Sequence, residues 1–230
     1  MRHVVLTRER GQNERLREWL PDGWTVAEVP VTTTDLYDEA AVLAEVHGSG
    51  HFGSIASLVV TSARSARYAE VVAPALCADA ECFSVGAATT AALGAVGQRV
   101  AVQSAGAAID LARQIARSPV LVLAARTSRD ELVDSLREQG VDVVVVACYE
   151  TRPLTLSEEQ RAELARADAV MVGAPSAWSV LEGTVPSGAL VVVPGATTAA
   201  AVRASHARVL EGWGPTLRER LVDALGRGEH

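Results

Sequence analysis

Short runs rich in valine and leucine recur along the chain, each followed by a stretch with apolar residues three or four positions apart. The runs predict strands buried on both faces, and the stretches predict helices with one apolar stripe. Strand 4–6 opens the series. Residues 11–20 follow with Leu16, Trp19 and Leu20 at helical spacing, and Pro21-Asp22-Gly23 stops that helix. The pattern then predicts a strand over 24–29, a β-prone polar segment at 31–34, a helix over 35–46, a strand over 55–60 and a helix over 65–76. A strand at 82–85 runs into Gly86 and an Ala-rich helix. Beyond it come a strand at 100–102, a helix over 107–116, a strand at 120–123, a helix over 127–138 and a strand at 141–146. A polar segment at 147–153, a helix from Ser157, a strand at 169–172, a turn at Gly173-Ala174-Pro175-Ser176, a strand at 190–193, a helix after Gly195 and a helix over 216–225 complete the series.

The series repeats itself. Val85-Gly86-Ala87-Ala88-Thr89-Thr90 has an echo in Pro194-Gly195-Ala196-Thr197-Thr198, and the step from Gly86 to Arg99-Val100 equals that from Gly195 to Arg208-Val209. Leu16 matches Leu132, Leu20 matches Leu136, Arg8 matches Ala124, and with one added residue Gly23 matches Gly140. The chain therefore reads as two copies of one unit, each about half of the 230 residues. Alternating strands and helices imply parallel sheets covered on both faces, an α/β class with three layers per domain. The polar segments near 30–35 and 147–153 are the expected linkers. If the chain crosses at both, one domain is continuous over 35–149 and the other is built from 1–34 plus 150–230, the two joined by a two-stranded linker.

Hydrophobic residues make up 49% of the chain, enough for two cores. Aromatics are only 4% and the net charge is −7, which argues against nucleic acid or an anionic membrane as partner. Cys77, Cys82 and Cys148 have no metal-ligand spacing and fit a reducing cytoplasm. Neither a signal peptide nor a run long enough to span a membrane is evident.

Ligands of parallel α/β sheets bind beyond the C-terminal ends of the strands. The residues expected there are Thr7, Arg8, Thr61, Ser62, Arg64, Gly86, Thr89, Arg126, Ser176, Gly195, Thr197 and Thr198. They are mostly hydroxyls and backbone donors. No histidine stands at a strand end, no carboxylate pair has acid–base spacing, and no phosphate-binding lysine loop or nucleophile elbow is present. Such a site binds carboxylates or phosphates and orients a reaction whose reactivity lies in the substrate. A glycine turn with threonines at a helix start is also an ordinary N-cap, so each motif alone carries little.

Together these elements resemble the uroporphyrinogen-III synthase family. The pieces are Leu6-Thr7-Arg8, Val60-Thr61-Ser62-Ala63, Val85-Gly86-Ala87-Ala88-Thr89, Tyr149-Glu150-Thr151-Arg152-Pro153, Pro175-Ser176-Ala177 and Gly195-Ala196-Thr197-Thr198. The resemblance implies a cofactor-free lyase that closes the linear tetrapyrrole hydroxymethylbilane to a macrocycle with inversion of ring D through a spiro intermediate. It implies a cytoplasmic monomer that receives its substrate from hydroxymethylbilane synthase. It gives Tyr149 the role of proton donor to the departing hydroxyl. Thr7, Arg8, Ser62, Ala63, Gly86, Thr89, Ser176, Gly195, Thr197 and Thr198 become the substrate-binding set. The chain departs from the family at Ala174, where a serine is frequent, and at Ala124-Ala125, where Arg-Gly is common, while Arg129 fits a later arginine. Those departures motivate an alternative, a non-catalytic tetrapyrrole-binding or regulatory homologue.

Overall fold

The computed structural model describes residues 1–104, 108–127 and 131–226. The chain divides into two compact units, one formed by Met1–Thr33 with Arg152–His230 and the other by Thr34–Thr151.

In the first unit, β1 (His3–Leu6), α1 (Glu14–Glu18) and β2 (Thr25–Glu28) come from the start of the chain. The later segment supplies α7 (Glu158–Ala165), β9 (Ala169–Met171), α8 (Pro175–Leu181), β10 (Leu190–Val193), α9 (Ala196–Arg203), β11 (Val209–Glu211) and α10 (Leu217–Leu225). The five strands lie in the order β11-β10-β9-β1-β2, and all pairs are parallel. Leu164, Trp178, Leu181 and Val202 cover one face of this sheet, and Leu16, Leu217 and Leu221 cover the other. Val4, Val5, Leu6, Val170 and Met171 have no exposed surface. Each such side chain contributes about 1.5–3 kcal/mol on burial, before the entropy of ordering it.

The second unit holds α2 (Glu39–Gly48), β4 (Ile55–Val60), α3 (Tyr68–Val72), β5 (Leu76–Val85), α4 (Ala87–Ala95), β6 (Val102–Ser104), α5 (Ile109–Ala112), β7 (Val120–Ala125), α6 (Glu131–Glu138) and most of β8 (Val143–Pro153). Its sheet runs β3-β8-β7-β4-β5-β6, where β3 (Thr32–Leu36) is the edge strand next to β8. Both passages between the units, at Thr33/Thr34 and Thr151/Arg152, thus fall on neighbouring strands of one sheet. Val42, Tyr68 and Leu93 cover one face, and Leu111, Leu132 and Leu136 the other. When the repeated sequence segments are matched, β8-β7-β4-β5-β6 and β2-β1-β9-β10-β11 have the same spatial order.

Several boundaries differ from the sequence expectation. The helix expected from 35 starts at Glu39, because residues through Leu36 continue as strand and Asp38 caps the helix, accepting the amides of Ala40 and Ala41 at 3.0 and 3.3 Å. The helix expected over 65–76 is cut to Tyr68–Val72 plus one 3₁₀ turn, Ala73–Ala75. Pro74 cannot donate to the helical ladder, and Leu76 already pairs with Ile55 in the sheet. The strand expected at 100–102 lies at Val102–Ser104, the helix over 11–20 shrinks to Glu14–Glu18, and the last strand of the second unit runs on to Pro153. The helix at Ser157 begins as expected, with a capping box in which Ser157 accepts the Gln160 amide at 3.2 Å. Thr127, the expected start of the helix to 138, lies in a turn, and residues 107 and 128–130 of the expected helices lie outside the described residues.

The two glycine turns are not equivalent. Gly86 has φ 77 and ψ 155, a region open in practice only to glycine, whereas Gly195 is extended at φ −174. An added Cβ meets nothing within 4 Å at either position, so only backbone strain distinguishes them. Gly86→Ala is expected to cost at least about 1 kcal/mol more than Gly195→Ala in urea unfolding. Equal losses would mean that Gly86 is not held in this conformation.

The start of β9 is fastened to the start of β1. Asp168 accepts the His3 amide and the Arg2 guanidinium, each at 2.8 Å. Burial raises the Asp168 carboxyl, but these two donors outweigh it and hold the group below its ordinary value. A carboxylate lowered by folding stabilises above its unfolded pKa and loses that contribution as pH falls through its folded value. The stability gap between wild type and Asp168→Asn is therefore expected to be full at neutral pH and to close below about pH 4. A gap that persists unchanged into acid would show that the carboxylate charge contributes nothing.

Candidate active site

In the first unit, the expected site residues gather beyond β1, β9 and β10. Thr7 directly follows β1, is 1% exposed, and donates its hydroxyl to the Met171 carbonyl at 2.6 Å. That hydroxyl fastens β1 to β9, the central pair where the strand order reverses. Arg8 stands next to it. Its Nη1 donates to the Gln12 carbonyl at 3.0 Å and its Nη2 to Gln12 Oε1 at 3.1 Å. The guanidinium also lies 5.8 Å from the centre of the Trp213 ring. Gly173, just past β9, lies against this stack, and a Cβ there would be in ordinary contact, 3.5 Å from both Arg8 Cγ and Trp213.

Ser176 occupies the second position of α8 and is exposed. Gly195 precedes α9. The amides of Ala196, Thr197 and Thr198 have no backbone partner among the described residues, and the helix dipole places partial positive charge there. Thr197 is exposed and Thr198 is buried at 5% exposure. Trp213 stands outside the expected set. The available signal is an aromatic between two glycines, Gly212-Trp213-Gly214, directly after an apolar run in a chain poor in aromatics. Arg220 braces this loop by donating to the Glu211 carbonyl at 2.6 Å.

In the second unit, Ser62, Ala63, Gly86, Thr89 and Tyr149 gather beyond β4, β5 and near the end of β8. Thr61 repeats the work of Thr7, donating its hydroxyl across the β4–β7 pair to the Leu123 carbonyl at 3.2 Å. Ser62 is half-buried, and its Oγ accepts the Arg64 amide at 3.3 Å. Ala63 is exposed. At α4 the Thr89 and Thr90 amides return to the Gly86 carbonyl, leaving the Ala87 and Ala88 amides without a partner among the described residues. Thr89 itself is buried, and Thr90 is tied to Ser84 and Gln103, each at 2.7 Å.

Tyr149 is 7% exposed and lies at a register shift, paired with Ala125 rather than in step with Ala124. Its ring lies 5.8 Å from the Arg64 guanidinium. With Thr61, Ala124, Ala125, Thr127 and Leu132 it lines a cavity of about 290 Å³. Ala124 and Ala125 keep this corner open, because larger side chains there would occupy it. Burial pushes the Cys148 thiol up to about 12 and Cys82 up to about 11, so neither supplies a thiolate near neutrality. Arg129 lies outside the described residues.

Ala174 has a plain structural reading. It is the N-cap of α8, in extended conformation at φ −156 and ψ 159, and it makes no side-chain cap. A serine there would bond to an unpaired amide of the first turn. Ala174→Ser is expected to stabilise the protein by about 0.5–2 kcal/mol in urea unfolding. A neutral or destabilising result would assign the position to something other than helix capping.

Comparison with known proteins agrees with the fold. Two solved structures similar to the chain are a mutant uroporphyrinogen III synthase from the extremely thermophilic bacterium Thermus thermophilus (TM-score 0.68, 16% identity, 98% of this chain and 99% of the other covered) and a uroporphyrinogen-III synthetase from Helicobacter pylori (0.63, 15%, 98% and 96%). At these identities they establish the fold. No curated protein sequence matches the chain significantly. Residues 17–215 match the family described as Uroporphyrinogen-III synthase HemD, a span that takes in both passages between the units and the strand-end sets of β4 to β10, and the chain belongs to that family.

Proposed function

We propose that the protein converts hydroxymethylbilane to uroporphyrinogen III. The observation that carries this reading is the family match over residues 17–215, combined with strand ends that present amides, hydroxyls and guanidinium groups. The substrate supplies its own reactivity. A proton delivered to its terminal hydroxyl releases water and leaves an azafulvene cation. Ring D attacks that cation through its substituted carbon, and the resulting spiro intermediate fragments and recloses. Loss of a final proton gives the macrocycle, so the balance is one water lost, a lyase reaction without redox change.

The protein's contribution is to bind carboxylates, hold the reacting carbon and donate one proton. The partner-free amides at α4 and α9 suit carboxylates. Tyr149 is the proton donor in this reading, and it stands at the wall of a cavity near β7 that combines apolar lining with a phenol and threonine hydroxyls. Among the described residues no helix is long and apolar enough to cross a membrane, and the reading places the protein in the cytoplasm, as a monomer supplied by hydroxymethylbilane synthase.

The test generates hydroxymethylbilane in place, adds the protein, oxidises the products and separates uroporphyrin I from III. Spontaneous closure gives isomer I, so the expected result is a shift to isomer III. Unchanged isomer I from folded protein would reject the reading. Tyr149→Phe is expected to lower kcat by about 10²–10⁴ with little change in KM, the range of a lost general acid. An unaffected kcat would reduce Tyr149 to a packing residue.

A further inference from the structure

Arg126 is held in a geometry that a surface ion pair does not require. It directly follows β7, and its amide donates to the Tyr149 carbonyl at 2.8 Å, so its backbone is fixed to the residue at the register shift. Its Nε donates to the Tyr37 hydroxyl at 2.6 Å, and its guanidinium lies 5.6 Å from the centre of the Tyr37 ring. Tyr37 is itself fixed, its amide donating to the Cys148 carbonyl at 2.9 Å and its carbonyl accepting the buried Tyr68 hydroxyl at 2.5 Å. The carboxylate at hand, Glu150, is 4.0 Å from Nε, and it also accepts from Tyr37 at 3.5 Å. An exposed pair at that distance contributes little to stability. The side chain is 62% exposed, and Nη1 and Nη2 have no hydrogen-bond partner among the described residues.

An arginine with Nε occupied and both Nη atoms open presents a fork matched to a carboxylate. Arg8 stands at the matching edge of the other unit, but Gln12 already occupies its fork. The chain has no lysine and its 21 formal cations are all arginines, so placement and not residue type decides which one binds. We propose that Arg126, oriented by Tyr37, is a substrate-binding residue that takes one carboxylate of the tetrapyrrole through its open Nη edge and supplies the cation that Ala124 does not. This inference rests on the function proposed above.

The experiment titrates uroporphyrin III into wild type, Arg126→Gln, Arg126→Lys and Tyr37→Phe by fluorescence, and runs the isomer assay on each. Arg126→Gln is expected to weaken uroporphyrin III binding and raise KM about tenfold to a hundredfold, with kcat nearly unchanged and the same thermal midpoint. Arg126→Lys restores part of the affinity because it keeps the charge without the fork, and Tyr37→Phe loses affinity while keeping the charge. Arg126→Gln also flattens the salt dependence of binding. Wild-type isomer III formation combined with unchanged binding and KM in Arg126→Gln overturns the role of Arg126 alone. Wild type that neither forms isomer III nor binds uroporphyrin III overturns the functional reading with it.

Discussion

The parallel pairing of β1 with β9 is the constraint on which the first unit rests. It joins Val4, Val5 and Leu6 to Ala169, Val170 and Met171, segments from opposite parts of the chain, and leaves none of these side chains exposed. Helices on both faces pack against this pair, so neither face has a core without it. The pairing is fastened at both ends by polar contacts. Asp168 grips the His3 amide at one end, and the Thr7 hydroxyl reaches Met171 at the other. The buried Thr7 hydroxyl is tolerated there only because its hydrogen bond is made.

The same logic explains what the strand ends offer a ligand. Strand order reverses beside β1 and β9 in one unit and beside β7 and β4 in the other, which opens a crevice past the carboxyl ends. At both crevices a threonine hydroxyl is spent on closing the sheet, at Thr7 and at Thr61. What remains for binding is backbone amides at α4 and α9, the exposed hydroxyls of Ser176 and Thr197, and guanidinium groups. Arg8 has its fork satisfied internally, while Arg126 does not. Fixed cations and amides of this kind stabilise anions without taking part in proton transfer.

The parts of this arrangement legible in the sequence are those set by local chemistry. Apolar runs locate most strands of both sheets but not β3 or β11, and Ser157 with Gln160 announces a helix start that the structure retains. Gly86 and Gly195 are recognisable as turns from their neighbours. Their different φ angles are not, because similar local sequence does not fix the direction in which the chain leaves each sheet. Leu76 falls within a helical pattern, since its sheet partner, Ile55, lies far back in the chain. The support of Arg126 depends on Tyr37, which is distant in sequence, and Trp213 meets Arg8 only after β11 and β1 share a sheet. Ala174 is visible as a departure from the family, but its role as an uncapped helix start needs the backbone angles.

The discontinuity of the first unit has a consequence for biosynthesis. Thr34–Thr151 is contiguous, so its strands can find all their partners, apart from the continuation of β8, as soon as that stretch has left the ribosome. The opening segment cannot. β1 and β2 emerge before the second unit, with an apolar edge whose partner β9 is translated only after that whole unit. Domains fold as units during synthesis, and exposed strand edges invite misassociation while they wait. β1 and β2, made before the second unit, are thus secured only after it, and the newborn chain passes through a stage in which a completed domain follows an unsheltered segment of valines and leucine.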